Sequence, residues 1–318
     1  MPKPVLFVTR RLPASVEVLA AHAFDARLSP SDVPITDLVV RAEGADAILC
    51  CPGDVLDAKA IGALPDSVSV IGTFSVGFDH IDVTAATARG IKVCNTPDVL
   101  SVATAECAML LVLAASRRAG EGERLVRSGT WAGWAPTQLL GTGVSGRRLG
   151  IFGMGRIGRE IARMARGFGM EIHYRDMNRL PPDLEQGAIF HDTDASFLPI
   201  CQVLSLNAPG GDGTRHWLSA ERISQLPPGA VVVNAARGTL VDDAALIAAL
   251  RSGQIAAAGL DVYNNEPHLN SEYLTLENVF LLPHLGSATT ETRDAMGRVV
   301  LSGIGAILAG QAPSNLVA

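Results

Sequence analysis

Short apolar runs alternate with longer amphipathic stretches along almost the whole chain. The runs fall at Val5–Val8, Ala47–Cys50, Val68–Gly72, Ile91–Cys94, Arg148–Phe152, Glu171–Tyr174, Val203–Leu206, Ala230–Asn234, Ala257–Val262 and Val279–Leu282. Near-continuous runs this short predict strands buried on both faces. Helical patterns fill most of the gaps, so the pattern predicts α/β structure built on parallel sheets. One helix shows both of its ends. Asp242 and Asp243 open AALIAALRSG as cap and flanking charge, and Gly253 stands where a left-handed residue ends it. Ser101 to Arg118 predicts a long helix with little polar surface, hence a buried one. A Gly-rich excursion follows, GEGERLVRSGTWAGWAPTQLLGTGVSG, which is too long for a plain connection. Trp131, Trp134, Leu139 and Leu140 within it call for burial, so it is expected to be a functional or oligomer-forming arm.

Composition narrows the function classes. At 318 residues the chain is long enough for two domains. Hydrophobic residues make up 48% and charged ones 18%, which excludes intrinsic disorder. Lys and Arg number 26 against 32 Asp and Glu, a net charge of −6, with no basic cluster. Nucleic acid and anionic membrane are therefore not expected partners. No apolar stretch reaches the length of a membrane span. The four-residue run after Met1-Pro2-Lys3-Pro4 is too short for a secretory signal and reads as a first strand, so a cytoplasmic location is expected. Five cysteines, with no C-x-x-C, read as reduced, mostly buried thiols, and no metal is expected.

The strongest local motif lies mid-chain. Gly153, Gly155 and Gly158 spell G-x-G-x-x-G directly after a strand, around Met154, Arg156 and Ile157, and a helix follows. The first glycine permits a tight turn, the second lets backbone approach a pyrophosphate, and the third lets helix pack on strand. The helix N-terminus adds N–H groups and positive potential. A second strand ends at Tyr174-Arg175-Asp176, where an acidic residue can accept hydrogen bonds from ribose hydroxyls. Asp176 thus favours NAD(H), while Arg175 and Arg179 beside it leave NADP(H) open, since either could pair with a 2′-phosphate. Because α/β structure precedes the motif, the expected architecture inserts a nucleotide domain into another α/β domain completed by the C-terminal tail.

Three further strands each end near a polar residue: Arg237 in NAARG, Glu266 in GLDVYNNEP, and His284 in LLPHLGS. In open parallel sheets, ligands bind outside the carboxyl ends of strands, so the three can converge. Together they suit a two-electron exchange between a nicotinamide and a 2-oxo or 2-hydroxy acid. The guanidinium can clamp a carboxylate with paired hydrogen bonds. His is a general acid–base near neutral pH, and a carboxylate beside it orients the ring and favours the imidazolium.

These motifs, with SVGFDHID at 75–82 and GIKVCNTP at 90–97, resemble the D-2-hydroxyacid dehydrogenase family over nearly the whole chain. The resemblance implies two Rossmann-like, doubly wound parallel-sheet domains. A substrate domain of 1–99 and 285–318 is interrupted by an NAD(P)-binding domain of 100–284. It implies catalysis by Arg237, Glu266 and His284, with substrate also held by Val76, Gly77 and Ser287. Thr104, the glycine loop, Arg175, Asp176, Asn207, Ala208, Pro209, Ala235, Ala236, Arg237, Asp261, His284 and Gly286 would contact the cofactor, Asp261 facing the nicotinamide amide. Homodimers built largely through the 100–145 region are also implied. Trp131 to Gly141 resembles the glyoxylate/hydroxypyruvate reductase branch, in which a tryptophan matching Trp134 reaches toward an active site. Reduction of longer 2-keto acids such as 2-ketogluconate, and non-catalytic dinucleotide sensing in the manner of related corepressors, are the alternatives.

Overall fold

The computed structural model describes residues 2–318. The chain divides into two compact units, Met1–Leu100 with Ser287–Ala318, and Ser101–Gly286.

The first unit is built on β1 (Val5–Val8), β2 (Asp25–Arg27), β3 (Ala47–Cys50), β4 (Val70–Thr73) and β5 (Lys92–Cys94). They form one five-stranded parallel sheet in the order β2-β1-β3-β4-β5. Both ends of the chain make this unit. The helix Thr290–Leu308 lies on β4, where any side chain at Gly72 would collide with Val300 and Ile304. The last residues pair with β5 through Val93 N–H to Ala318 O (2.9 Å) and Val317 N–H to Val93 O (2.8 Å).

The second unit holds β6 (Arg148–Phe152), β7 (Glu171–Arg175), β8 (Ile189–His191), β9 (Val203–Leu206), β10 (Ala230–Asn234), β11 (Ile255–Leu260) and β12 (Val279–Leu281). Its seven parallel strands run β12-β11-β10-β9-β6-β7-β8. The winding reverses between β6 and β9, which opens a crevice at their carboxyl ends. The helix Ser101–Ser116 packs on β10 and β11, and Gly259 lets it approach, since a Cβ there would meet Leu111 at 2.9 Å.

Strand ends differ from the sequence pattern by a residue or two, and neither β2 nor β8 has an apolar run of four residues. Both are three-residue edge strands with mostly exposed or half-buried side chains, so neither needs one. The arm after the long helix starts as a second helix, Ala119–Arg127. Its aromatic residues are not buried by this chain: Trp134 is 81% exposed, Trp131 51% and Leu140 67%. A single copy thus leaves unmet the burial that the sequence calls for in this arm. All five cysteines are free; Cys50, Cys94, Cys107 and Cys201 are buried, and burial pushes the Cys94 and Cys107 thiols up to about 12. Among the described residues no helix is long and apolar enough to cross a membrane, and no three His, Cys, Asp or Glu side chains form a metal-holding group.

Candidate active site

The glycine loop leaves β6 at the point of strand reversal. Gly153 has φ +94°, and a Cβ there would lie 2.6 Å from the Ala208 nitrogen. The turn is thereby pressed onto the Asn207-Ala208-Pro209 loop after β9, which is itself anchored by Asn207 N–H to Phe152 O (2.7 Å). At Gly158 a Cβ would sit 2.3 Å from the Gly153 carbonyl oxygen. Gly155 is different: nothing lies within 4 Å of its Cβ direction. Two glycines therefore serve close packing and one leaves open space at the N-terminus of the helix Arg156–Gly167, where pyrophosphate would meet backbone N–H groups. Asp176 follows β7 directly, beside this loop. Its Oδ2 accepts from Met154 N–H and its Oδ1 from Met177 N–H, both at 2.7 Å. Each oxygen keeps one acceptor site for a ribose hydroxyl. The residues present fit a dinucleotide.

The arginines flanking Asp176 are already paired. Arg175 forms an ion pair with Asp194 at 3.5 Å and donates to the Asp176 carbonyl. Arg179 grips Glu185 with two hydrogen bonds, Nε to Oε1 at 2.8 Å and Nη2 to Oε2 at 3.1 Å.

Three loops at the carboxyl ends of β10, β11 and β12 carry the remaining chemistry. Glu266 accepts at Oε2 from His284 Nδ1 (2.7 Å) and at Oε1 from the Tyr263 N–H (2.8 Å). Its carboxyl is pulled two ways. Burial raises its pKa, while the His284 contact, the Tyr263 N–H and the Arg237 charge lower it, and the lowering prevails. The His284 side chain keeps 43% of its surface exposed, so its other ring nitrogen remains approachable. His284 itself has φ +57°, and its N–H donates to the Asp261 carbonyl at 2.9 Å.

Asp261 is fully buried and accepts from the N–H groups of Leu285 (2.6 Å) and Gly286 (2.8 Å). It therefore holds the turn that follows His284. Burial pushes its carboxyl up despite those donors and the nearby imidazole. Thr104, also buried, closes on Gly286, where a Cβ would meet both Thr104 and Asp261 at 3.4 Å.

Two residues missing from the sequence reading organise these loops. The buried Asn234 side chain accepts from Ala236 N–H (3.0 Å) and donates to the Arg237 carbonyl (2.8 Å), clasping the loop that presents the guanidinium. Tyr263 joins the other two loops. Its backbone fixes Glu266, and its hydroxyl lies 2.7 Å from the Leu282 carbonyl and 3.0 Å from that of Leu260. Gly238 presses against it, since a Cβ there would lie 1.9 Å from the Tyr263 carbonyl carbon. An Asn three residues before the Arg was a readable signal; the reach of the tyrosine hydroxyl was not.

In the first unit, Val76 and Gly77 follow β4. The Ser75 hydroxyl donates to the Gly77 carbonyl (2.6 Å) and the Asn95 amide to that of Val76 (2.8 Å), which sets both peptide planes. The Ser287 carbonyl accepts from Arg293 at 3.1 Å.

Residues 109–286 match the family model described as D-isomer specific 2-hydroxyacid dehydrogenase, NAD binding domain. The chain is 42% identical to the glycerate dehydrogenase of Hyphomicrobium methylovorum, over 98% of each. It belongs to the D-isomer specific 2-hydroxyacid dehydrogenases. The glyoxylate reductase of Thermococcus litoralis is 39% identical over 99% of this D-2-hydroxyacid dehydrogenase and 97% of its own length. Among solved structures, a glyoxylate reductase from Paecilomyes thermophila superimposes with a TM-score of 0.87 at 36% identity, covering 100% of this chain and 99% of that one. An NADPH-dependent glyoxylate/hydroxypyruvate reductase from Sinorhizobium meliloti, in complex with NADP and malonate, gives 0.87 at 33%, covering 99% and 97%. The doubly wound sheets, the glycine loop and the Arg, Glu and His loops thus belong to an NAD(P)-dependent oxidoreductase that reduces 2-oxo acids.

Proposed function

We propose that this D-2-hydroxyacid dehydrogenase reduces glyoxylate and hydroxypyruvate, with NADH as the preferred reductant. The observation that carries the catalytic part is the Glu266 carboxylate, held at one oxygen by Tyr263 N–H and at the other by His284 Nδ1. With Nδ1 committed, the proton for the substrate sits on Nε2. A reduced nicotinamide bound there would supply the hydride for the carbonyl carbon, and His284 would protonate the carbonyl oxygen, giving a D-2-hydroxy acid wherever the product is chiral. Glu266 keeps the ring oriented and balances its charge in the protonated state. Arg237 clamps the substrate carboxylate, its loop set by Asn234. Val76, Gly77 and Ser287 contribute substrate contacts, and Thr104, the glycine loop, Asp176, the Asn207–Pro209 loop, Ala235, Ala236, Asp261 and Gly286 hold cofactor. NADH preference is supported by Asp176, whose carboxylate suits ribose hydroxyls and repels a 2′-phosphate.

The same reading makes the protein a cytoplasmic homodimer. The exposed Trp131, Trp134 and Leu140 are the supporting observation, since a second copy would cover them. Replacing Arg237 by Ala is the direct test of the site. The variant should bind NADH normally and lose about a hundredfold in kcat/KM for glyoxylate, equivalent to roughly 3 kcal/mol for one charge-assisted clamp. Near-normal turnover would remove Arg237 from the mechanism.

A further inference from the structure

The loop leaving β7 carries an arrangement that bears on the adenosine end of the cofactor. Glu185 is buried, yet three groups converge on its carboxylate: the two Arg179 nitrogens and the Tyr174 hydroxyl, which donates to Oε1 at 2.6 Å. The same tyrosine oxygen accepts from Leu180 N–H at 2.9 Å, so the chain between Asp176 and Glu185 is closed on itself. Arg179 lowers the Glu185 pKa through these hydrogen bonds, with the tyrosine adding to the effect. The guanidinium side of the pair is 67% exposed, whereas the Glu185 side chain is 7% exposed.

A 2′-phosphate is a dianion that needs a cationic partner, and Arg is the side chain whose fork fits it. Arg179, three residues beyond Asp176, is the cation placed to serve. To do so it would have to leave Glu185, stranding a buried carboxylate with only the Tyr174 hydroxyl. We propose that Glu185 is a specificity-determining residue, latching Arg179 away from the ribose edge and so disfavouring NADPH beyond the repulsion from Asp176. The latch rests on the NADH reading above. It acts on the adenosine end alone, so NADH affinity and the chemistry at His284 stay outside its reach.

The test measures dissociation constants for NADH and NADPH by fluorescence titration, in the wild type, Glu185→Gln, Arg179→Ala and the double variant. Glutamine keeps the shape and an acceptor for Tyr174 but gives up the charge that holds the guanidinium. Glu185→Gln should bind NADPH about fivefold to tenfold more tightly, with NADH changed by less than about twofold. Adding Arg179→Ala should abolish the gain. Arg179→Ala alone should leave NADPH binding as in the wild type, which keeps the idea testable if Glu185→Gln folds poorly. The latch is overturned if Glu185→Gln shows no gain, if the gain survives loss of Arg179, or if Arg179→Ala by itself weakens NADPH. A wild type that prefers NADH while failing any of these sinks the latch alone. A wild type that prefers NADPH sinks the NADH reading and the latch with it.

Discussion

At the scale of single residues, the proposed site commits most of its polar atoms and leaves few free. Glu266 has both oxygens engaged and His284 has one nitrogen engaged, which leaves Nε2 for the substrate. Burial raises the Glu266 pKa, but the His284 contact and neighbouring donors carry it below the usual carboxylate range. A carboxyl with a lowered native pKa contributes stability above its unfolded value, and that contribution is lost as pH falls through the native one. The Glu266 carboxyl is therefore ionised at neutral pH, and its contribution is lost only in acid. Glu266→Gln keeps a hydrogen bond to the ring but removes the carboxylate charge beside it. Turnover of glyoxylate at neutral pH should accordingly fall about tenfold or more in that variant, with NADH affinity unchanged. A rate profile superimposable on the wild type would show that Glu266 acts on neither the proton nor the ring. The convergence of the Arg237, Glu266 and His284 loops was legible because each follows an apolar strand of a parallel sheet. Tyr263 and Glu185 were not, and Asn234 offered only its spacing from Arg237. Their roles depend on backbone atoms that folding brings near, such as the Leu282 carbonyl against the Tyr263 hydroxyl.

At the scale of elements, parallel strands buried on both faces announce themselves as apolar runs, and strands at sheet edges do not. β8 shows the consequence. It carries His191, whose Nε2 lies 2.9 Å from Nδ1 of His173 on β7, while His173 Nε2 lies 2.9 Å from Glu171. Burial lowers the His191 pKa and the neighbouring His173 lowers it further. A base with a lowered native pKa takes up its proton later than in the unfolded chain. Stability is then fully present above the unfolded value and is lost as pH falls through the native one. Melting temperature should drop between about pH 7 and pH 5 in the wild type, and His191→Gln should flatten that drop. An equally steep profile in the variant would assign the acid sensitivity to other groups. The helix Ala119–Arg127 escaped the sequence reading for a different reason. Its two glycines and four charged side chains among nine residues look like loop, and helicity there comes from packing context rather than propensity.

At the scale of the whole molecule, the insertion of one parallel-sheet unit into another was readable from the mid-chain position of the glycine motif. The destination of the arm was not, because one chain leaves its tryptophans in solvent. Replacing Trp134 and Leu140 by Glu should convert a dimer to a monomer in sedimentation at micromolar protein. A wild type that sediments as a monomer would leave those residues without the proposed cover. The net charge of −6 does nothing to gather an anionic substrate, so the proposed function leaves that to local groups, Arg237 first among them. The central claim is tested most directly by initial rates of the wild type with glyoxylate, hydroxypyruvate, pyruvate and 2-ketogluconate, each with NADH and NADPH. Glyoxylate and hydroxypyruvate should be turned over fastest, with NADH the better reductant. Tight cofactor binding without turnover of any 2-oxo acid, or a clear preference for 2-ketogluconate, would contradict it.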